Sequence, residues 1–199
     1  MKKLIAILLA ALMLLSIVAC GEKTPDDEPV NVPYASAEEL LNIILTKYNE
    51  SADEMTQIGV NGGNMFNFET CKFGEPAKFV ALDNEDYNYN LGYPAADVDK
   101  IDDAASMYHS MNANIFNCYA VHFANKADVD AMVDVLKDNI SARQWECGHP
   151  EKLFIVKAPG NYLVVVWGVV TSGGVAELVA DSIVANVEGA TLEAEVDLL

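Results

Sequence analysis

Positive charge is scarce in this chain. Twelve lysines and arginines stand against thirty aspartates and glutamates, for a formal net charge of -18. Such a surface repels phosphate backbones and anionic lipid head groups. It excludes nucleic acid as a partner and leaves calcium or a cationic partner open. Cysteine is scarce too. Besides Cys20 there are Cys71, Cys118 and Cys147, an odd set that cannot close a full disulfide framework. At most one bridge can form, and Cys71–Cys147 is the better pair because Cys118 sits inside an apolar strand pattern. Long apolar runs are missing as well. Residues 4–18 are apolar apart from Ser16, but a bilayer-crossing helix needs about 20 such residues. Catalytic signatures are absent: there is no G-x-S-x-G elbow, no H-E-x-x-H, no P-loop and no calcium-loop pattern. The three histidines have no recognisable nucleophile partner in sequence, and no cofactor is expected.

The most specific feature present is at the start. Met1-Lys2-Lys3 is basic, residues 4–18 are apolar, and Ile17-Val18-Ala19-Cys20-Gly21 follows. A basic start, an apolar core and a small residue before the cut describe an export leader. An aliphatic residue, a small residue and then cysteine is the pattern of a bacterial lipoprotein box. The thiol of Cys20 can accept diacylglycerol as a stable thioether, which brings two acyl chains such as palmitate to the membrane. Each buried methylene contributes about 0.8 kcal/mol, so two chains anchor where one binds only marginally. The expectation is a leader over 1–19 and a mature chain held at Cys20 on the outer face of the cytoplasmic membrane.

Residues 20–35 are acidic and proline-bearing, the composition of a flexible tether. Ser36 and Glu39 form a capping box, and Leu40, Leu41, Ile44, Leu45 and Tyr48 then share one helical face over 36–49. Residues 52–94 are rich in Gly, Asn and Pro and read mostly as turns. Residues 77–82 could be a strand or a helical turn, and 97–100 a short helix or turn. Two hairpins follow, 103–111 with 115–124 and 153–157 with 162–170. Helices at 126–143 and 175–187 come after each hairpin, the second capped by Ser172. Residues 190–199 read as a frayed acidic tail. This predicts one α+β domain over 36–189: a two-layer structure with a mostly antiparallel sheet of about four strands and helices packed on one face.

From 108 to 187 the chain resembles the C-terminal body of a family of uncharacterised Gram-positive bacterial lipoproteins, a domain of unknown function. The matching features are the lipobox, Ser106-Met107-Tyr108-His109-Ser110-Met111-Asn112-Ala113, the helix ending in Arg143-Gln144, Pro150-Glu151, and the Gly160-Asn161-Tyr162 turn. Helix 36–49 joins the resemblance, and residues 52–94 depart from it. The resemblance implies a surface location and an α+β fold and brings no activity.

Several constellations could carry chemistry. Met107, His109 and Met111 alternate along one predicted strand, so period two would put them on one face. Thioether and imidazole ligands suit copper, whereas packing of a sheet face by methionine is the simpler account. With a turn at Asn112-Ala113, His109 faces residue 116, and His122 lies roughly 20 Å away along the strand. Cys147 and His149 are too few for structural zinc. Tyr87, Tyr89 and Tyr93, interleaved with Asn84, Asn88 and Asn90, offer aromatic faces and amides suited to a sugar or a peptide.

The expected function is a membrane-anchored extracytoplasmic lipoprotein that binds or scaffolds a protein or cell-wall partner. The alternatives are a cell-envelope enzyme with a dispersed site and a copper chaperone. Wild type should partition into membranes and carry the added lipid mass, while Cys20→Ala should do neither. Equal partitioning of the two on cell fractionation would overturn the anchor.

Overall fold

The computed structural model describes residues 32–199 except Met55, Glu146 and Ser172. The leader, Cys20, the first part of the tether and the Ser172 cap therefore lie outside the described residues. In chain order the elements are α1 (Ala37–Ser51), β1 (Val60–Gly62), β2 (Lys72–Phe73), β3 (Ala77–Lys78) and α2 (Glu85–Leu91). A 3-10 helix (Ala95–Lys100) leads into β4 (Ile101–His109), β5 (Phe116–Phe123) and α3 (Lys126–Ser141). Then come β6 (Lys152–Ala158), β7 (Tyr162–Gly168), α4 (Ala176–Asn186) and β8 (Thr191–Asp197).

The two hairpins form the middle of the sheet. Met107 pairs with Cys118 and Asp103 with His122, the register that a turn at 112–113 dictates. In β6 and β7, Ile155 pairs with Val165. The hairpins join through β5 and β7, where Ala120 faces Val164. The described sheet runs β2-β1-β4-β5-β7-β6-β8, with β3 beside β1 on the free edge of β4, and every pairing is antiparallel.

The expected four strands are thus eight, and the reasons are local. The acidic end of the chain is a strand, not a frayed tail. Ala194, Val196 and Leu198 alternate with acids and pack against the core. Lys152 and Lys157 on β6 pair with Glu195 and Glu193, which neutralises the acids that made the segment look unstructured. Within 52–94, β1 and β3 are too short to show a period. They share one edge of β4, β1 taking residues 107–109 and β3 residues 105–106.

The helices cover both faces of the sheet, not one. Every residue of β7 is buried, so neither face of the sheet can meet water there. Val164 and Val166 share a core with Leu40, Leu41 and Ile44 of α1 and Val179 and Ile183 of α4. Leu163, Val165 and Trp167 share the opposite core with Leu91 of α2 and Val129, Met132, Leu136 and Ile140 of α3. The hairpin–helix pattern occurs twice in sequence, yet its helices α3 and α4 go to opposite faces.

The capping box at α1 forms, with the Glu39 amide donating to Ser36 Oγ at 3.1 Å. Asp103 of β4 accepts from the Ala37 amide at 2.8 Å and ties the helix to the sheet. The end of the expected tether belongs to the domain. Tyr34 is buried, its hydroxyl donates to the Pro159 carbonyl at 2.8 Å, and its ring meets Tyr162 edge-on at 5.3 Å.

Gly62 sits where β1 hands the edge of β4 to β3. A Cβ there would lie 2.2 Å from the Ala77 nitrogen and 2.5 Å from the Glu75 carbonyl oxygen. Backbone cannot yield as a side chain can. Gly62→Ala should cost more than about 2 kcal/mol in urea unfolding. Gly59→Ala, whose nearest neighbour is Ser110 Oγ at 3.8 Å, should stay within about 0.5 kcal/mol. Equal stability of the two variants would refute this packing.

Candidate functional site

The α3-side core ends in a pocket of about 500 Å³. Its first wall is the end of α2. Gly92 closes that helix in the left-handed region (φ 62°), and a Cβ there would meet Ile140 Cγ1 at 2.7 Å. Glycine therefore permits α2 to rest on α3. The Asn139 amide then donates to the Gly92 carbonyl at 2.7 Å and to Asn88 Oδ1 at 3.0 Å. These bonds fix Asn88, Tyr89 and Asn90 at the pocket.

The second wall follows α3. The Arg143 amide donates to the Ile140 carbonyl at 3.2 Å as the helix ends. The Arg143 guanidinium lies 4.7 Å from the centre of the Trp145 ring, 5.7 Å from Trp167 and 5.8 Å from Tyr89. Its Nη2 donates to the Tyr89 carbonyl. The third wall is the β4–β5 connection. Asn112 Nδ2 donates to the Cys147 carbonyl at 2.6 Å and Asn114 Nδ2 to the Gly148 carbonyl at 3.2 Å. Two facing residues of neighbouring strands, Asn117 of β5 and Trp167 of β7, complete the lining.

The polar atoms here are only partly committed. Asn117 Nδ2 donates to the Asn90 carbonyl at 3.2 Å, and Asn90 Nδ2 to the Asp86 carbonyl at 3.0 Å. A backbone carbonyl only accepts, so both amide orientations are fixed. The two Oδ1 atoms are then buried acceptors with no partner in the protein, and Trp167 Nε1 and Arg143 Nη1 are likewise buried and unpartnered, as is Tyr119 Oη in the α3-side core outside the lining. Leaving such a group unmatched costs about 1–3 kcal/mol. Burial holds the Tyr119 hydroxyl neutral, well above the usual tyrosine range. Burial also lowers the Arg143 pKa, though the group remains charged at neutral pH.

Charge sets the pocket apart from the rest of the surface. Although the chain has thirty acidic residues, no carboxylate and no histidine occurs among the described lining residues, and Arg143 is their one charged group. It is also the only arginine in the chain, and Trp145 and Trp167 are its only tryptophans. The rim is apolar: Met111 is 88% exposed, and half-exposed Tyr89 packs at a tilt against Phe66, ring centres 5.1 Å apart.

Asn88, Tyr89 and Asn90, expected from sequence, are in this site. Tyr87 and Tyr93 are not. Tyr87 packs on Phe79 at 5.0 Å, and Tyr93 is buried with its hydroxyl on the Asp97 carbonyl. Met107, His109 and Met111 do not converge as a ligand set: His109 Nδ1 accepts from the Met111 backbone amide at 3.3 Å, and their side chains go to different places. Met107 is in the core shared with α1, His109 ends β4 and lines a smaller cleft, and Met111 lies beyond the strand at the pocket rim. His122 pairs with Asp102 instead. Among the described residues no group of three His, Cys, Asp or Glu could hold a metal ion.

Sequence reasoning missed Asn117, Arg143, Trp145 and Trp167 as site residues. A usable signal was the uniqueness of Arg143 beside one of two tryptophans. Another was a lone amide, Asn117, inside an apolar strand.

Cys71, Cys118 and Cys147 are all free, so the one bridge the sequence allowed, Cys71–Cys147, is not made. Burial pushes the Cys118 thiol far up. Under native conditions Cys147 should react with a thiol reagent first, and Cys118 only on unfolding. Native reaction of Cys118 at the rate of Cys147 would contradict its place in the core.

No family model, curated protein or solved structure matches this chain.

Proposed function

We propose that this protein is a lipid-anchored extracytoplasmic binding protein, fixed at Cys20 to the outer face of the cytoplasmic membrane, with its ligand site in the asparagine- and tryptophan-lined pocket. The carrying observation is the set of buried, unpartnered polar atoms of Asn90, Asn117, Arg143 and Trp167 at one pocket. Buried polar groups are normally matched, and a bound molecule would match these. The described lining offers no histidine or carboxylate to move a proton, so the geometry favours binding over catalysis. The lipobox supports export and anchoring. Among the described residues, no helix is long and apolar enough to cross a membrane.

Two measurements test the two halves of this reading. On spheroplasts, a membrane-impermeant maleimide should label the protein at exposed Cys147, and Cys147→Ser should remove most of that label. Labelling only after lysis would refute the location. For binding, the purified protein should be screened by thermal shift and tryptophan emission against sugars, short peptides, amino acids and metal salts. At least one class should raise Tm and change the emission of Trp145 and Trp167, and Asn117→Leu should abolish both responses. A protein indifferent to all classes would refute the pocket as a small-molecule site.

A further inference from the structure

The ligand class follows from what the pocket displays, given that the pocket is the binding site. A metal ion or an amine would require carboxylates, and the described lining has none. A polyphosphate would require several cations or a helix N-terminus. Here there is one arginine, the end of α3 nearby is a C-terminus, and the chain as a whole is strongly acidic. A wholly apolar ligand would leave the amides of Asn90 and Asn117 unmatched. The remaining class is small, carries one negative charge, offers several hydrogen-bond donors and has a face that stacks on aromatic rings.

We propose that the pocket binds a small sugar bearing a carboxylate, such as a uronic acid. The carboxylate accepts from Arg143 Nη1, whose sister nitrogen is already committed to the Tyr89 carbonyl. Ring hydroxyls donate to the Oδ1 atoms of Asn90 and Asn117, which are 4% and 1% exposed and accept no bond from the protein. The aliphatic face of the sugar packs against the indoles and Tyr89. Amides are well matched to hydroxyls because each offers both donors and acceptors. The exposed apolar rim of Met111, Tyr89 and Phe66 would then close over the outer edge of the ring.

The test is titration of the full chain with D-glucuronate and D-galacturonate, followed by tryptophan emission and calorimetry. Glucose, N-acetylglucosamine, acetate and trialanine serve as comparisons. At least one uronate should bind about tenfold or more tighter than glucose, since hydrogen bonds to a charged group outweigh neutral ones. Arg143→Gln should bring the uronate down to the affinity of glucose. Asn117→Asp is nearly isosteric, so it tests the floor without a packing change, and it should weaken the uronate at least tenfold. Circular dichroism melts would confirm that both variants fold. Equal binding of uronate and glucose by wild type would overturn the role of Arg143. Binding of trialanine or acetate without any sugar would overturn the sugar class and leave the pocket reading standing. No response to any compound here, together with a silent screen above, would overturn both.

Discussion

The pairing of β5 with β7 is the constraint on which the rest depends. Both strands have neighbours on both sides, and all their side chains except half-buried His122 of β5 are buried, on both faces of the sheet. A strand in that position has no route to water, so each face must be covered by helix. That requirement calls for α1 and α4 on one side and α2 and α3 on the other. It also makes any polar side chain on these strands costly. Asn117 is the buried polar residue of β5, and it lies where the α3-side core gives way to the pocket.

The buried polar residues divide along the same line. Ser106 is matched by the Gly63 carbonyl at 2.8 Å. Asn64 donates to Asp86 Oδ2 at 2.7 Å, and its Oδ1 accepts from the Phe66 amide at 3.0 Å. Those two stitch the loops around β1 to the sheet and to α2. Asn90 and Asn117 each spend their donors on backbone and keep an acceptor free. Ser106 and Asn64 are satisfied internally, whereas Asn90 and Asn117 at the pocket are not; outside the lining, Asn49 Oδ1 and Tyr119 Oη are also buried and unpartnered. That contrast is the physical basis for treating the pocket as a site and the other buried amide as a staple.

Much of the fold was legible in the sequence where patterns were long. Helices at 36–49, 126–143 and 175–187 and both hairpins stand within a few residues of their expected bounds. The β4–β5 register followed from the turn alone. What was not legible had short or contradictory signals. Two- and three-residue strands carry no period, and the acids of β8 mimic a solvated tail until Lys152 and Lys157 are placed opposite them. The unbroken apolar run of β7 marked a central strand, but its full burial also implied a second helical layer. The pocket was half visible. Asn88 and Tyr89 stand in an aromatic–amide stretch, whereas Asn117, Arg143 and Trp167 converge only through strand pairing and the packing of α2 on α3.

The pocket walls are joined by side-chain amides rather than ion pairs: Asn139 holds α2, Asn112 and Asn114 hold the segment after α3, and a guanidinium holds Tyr89. None of these groups exchanges a proton across the range in which carboxylates and histidines titrate. Acidification would therefore strip charge from the surrounding surface while the pocket kept both its shape and its hydrogen-bonding pattern. The pocket thus sits inside a titrating shell with a hydrogen-bonding pattern that does not depend on the protonation of that shell.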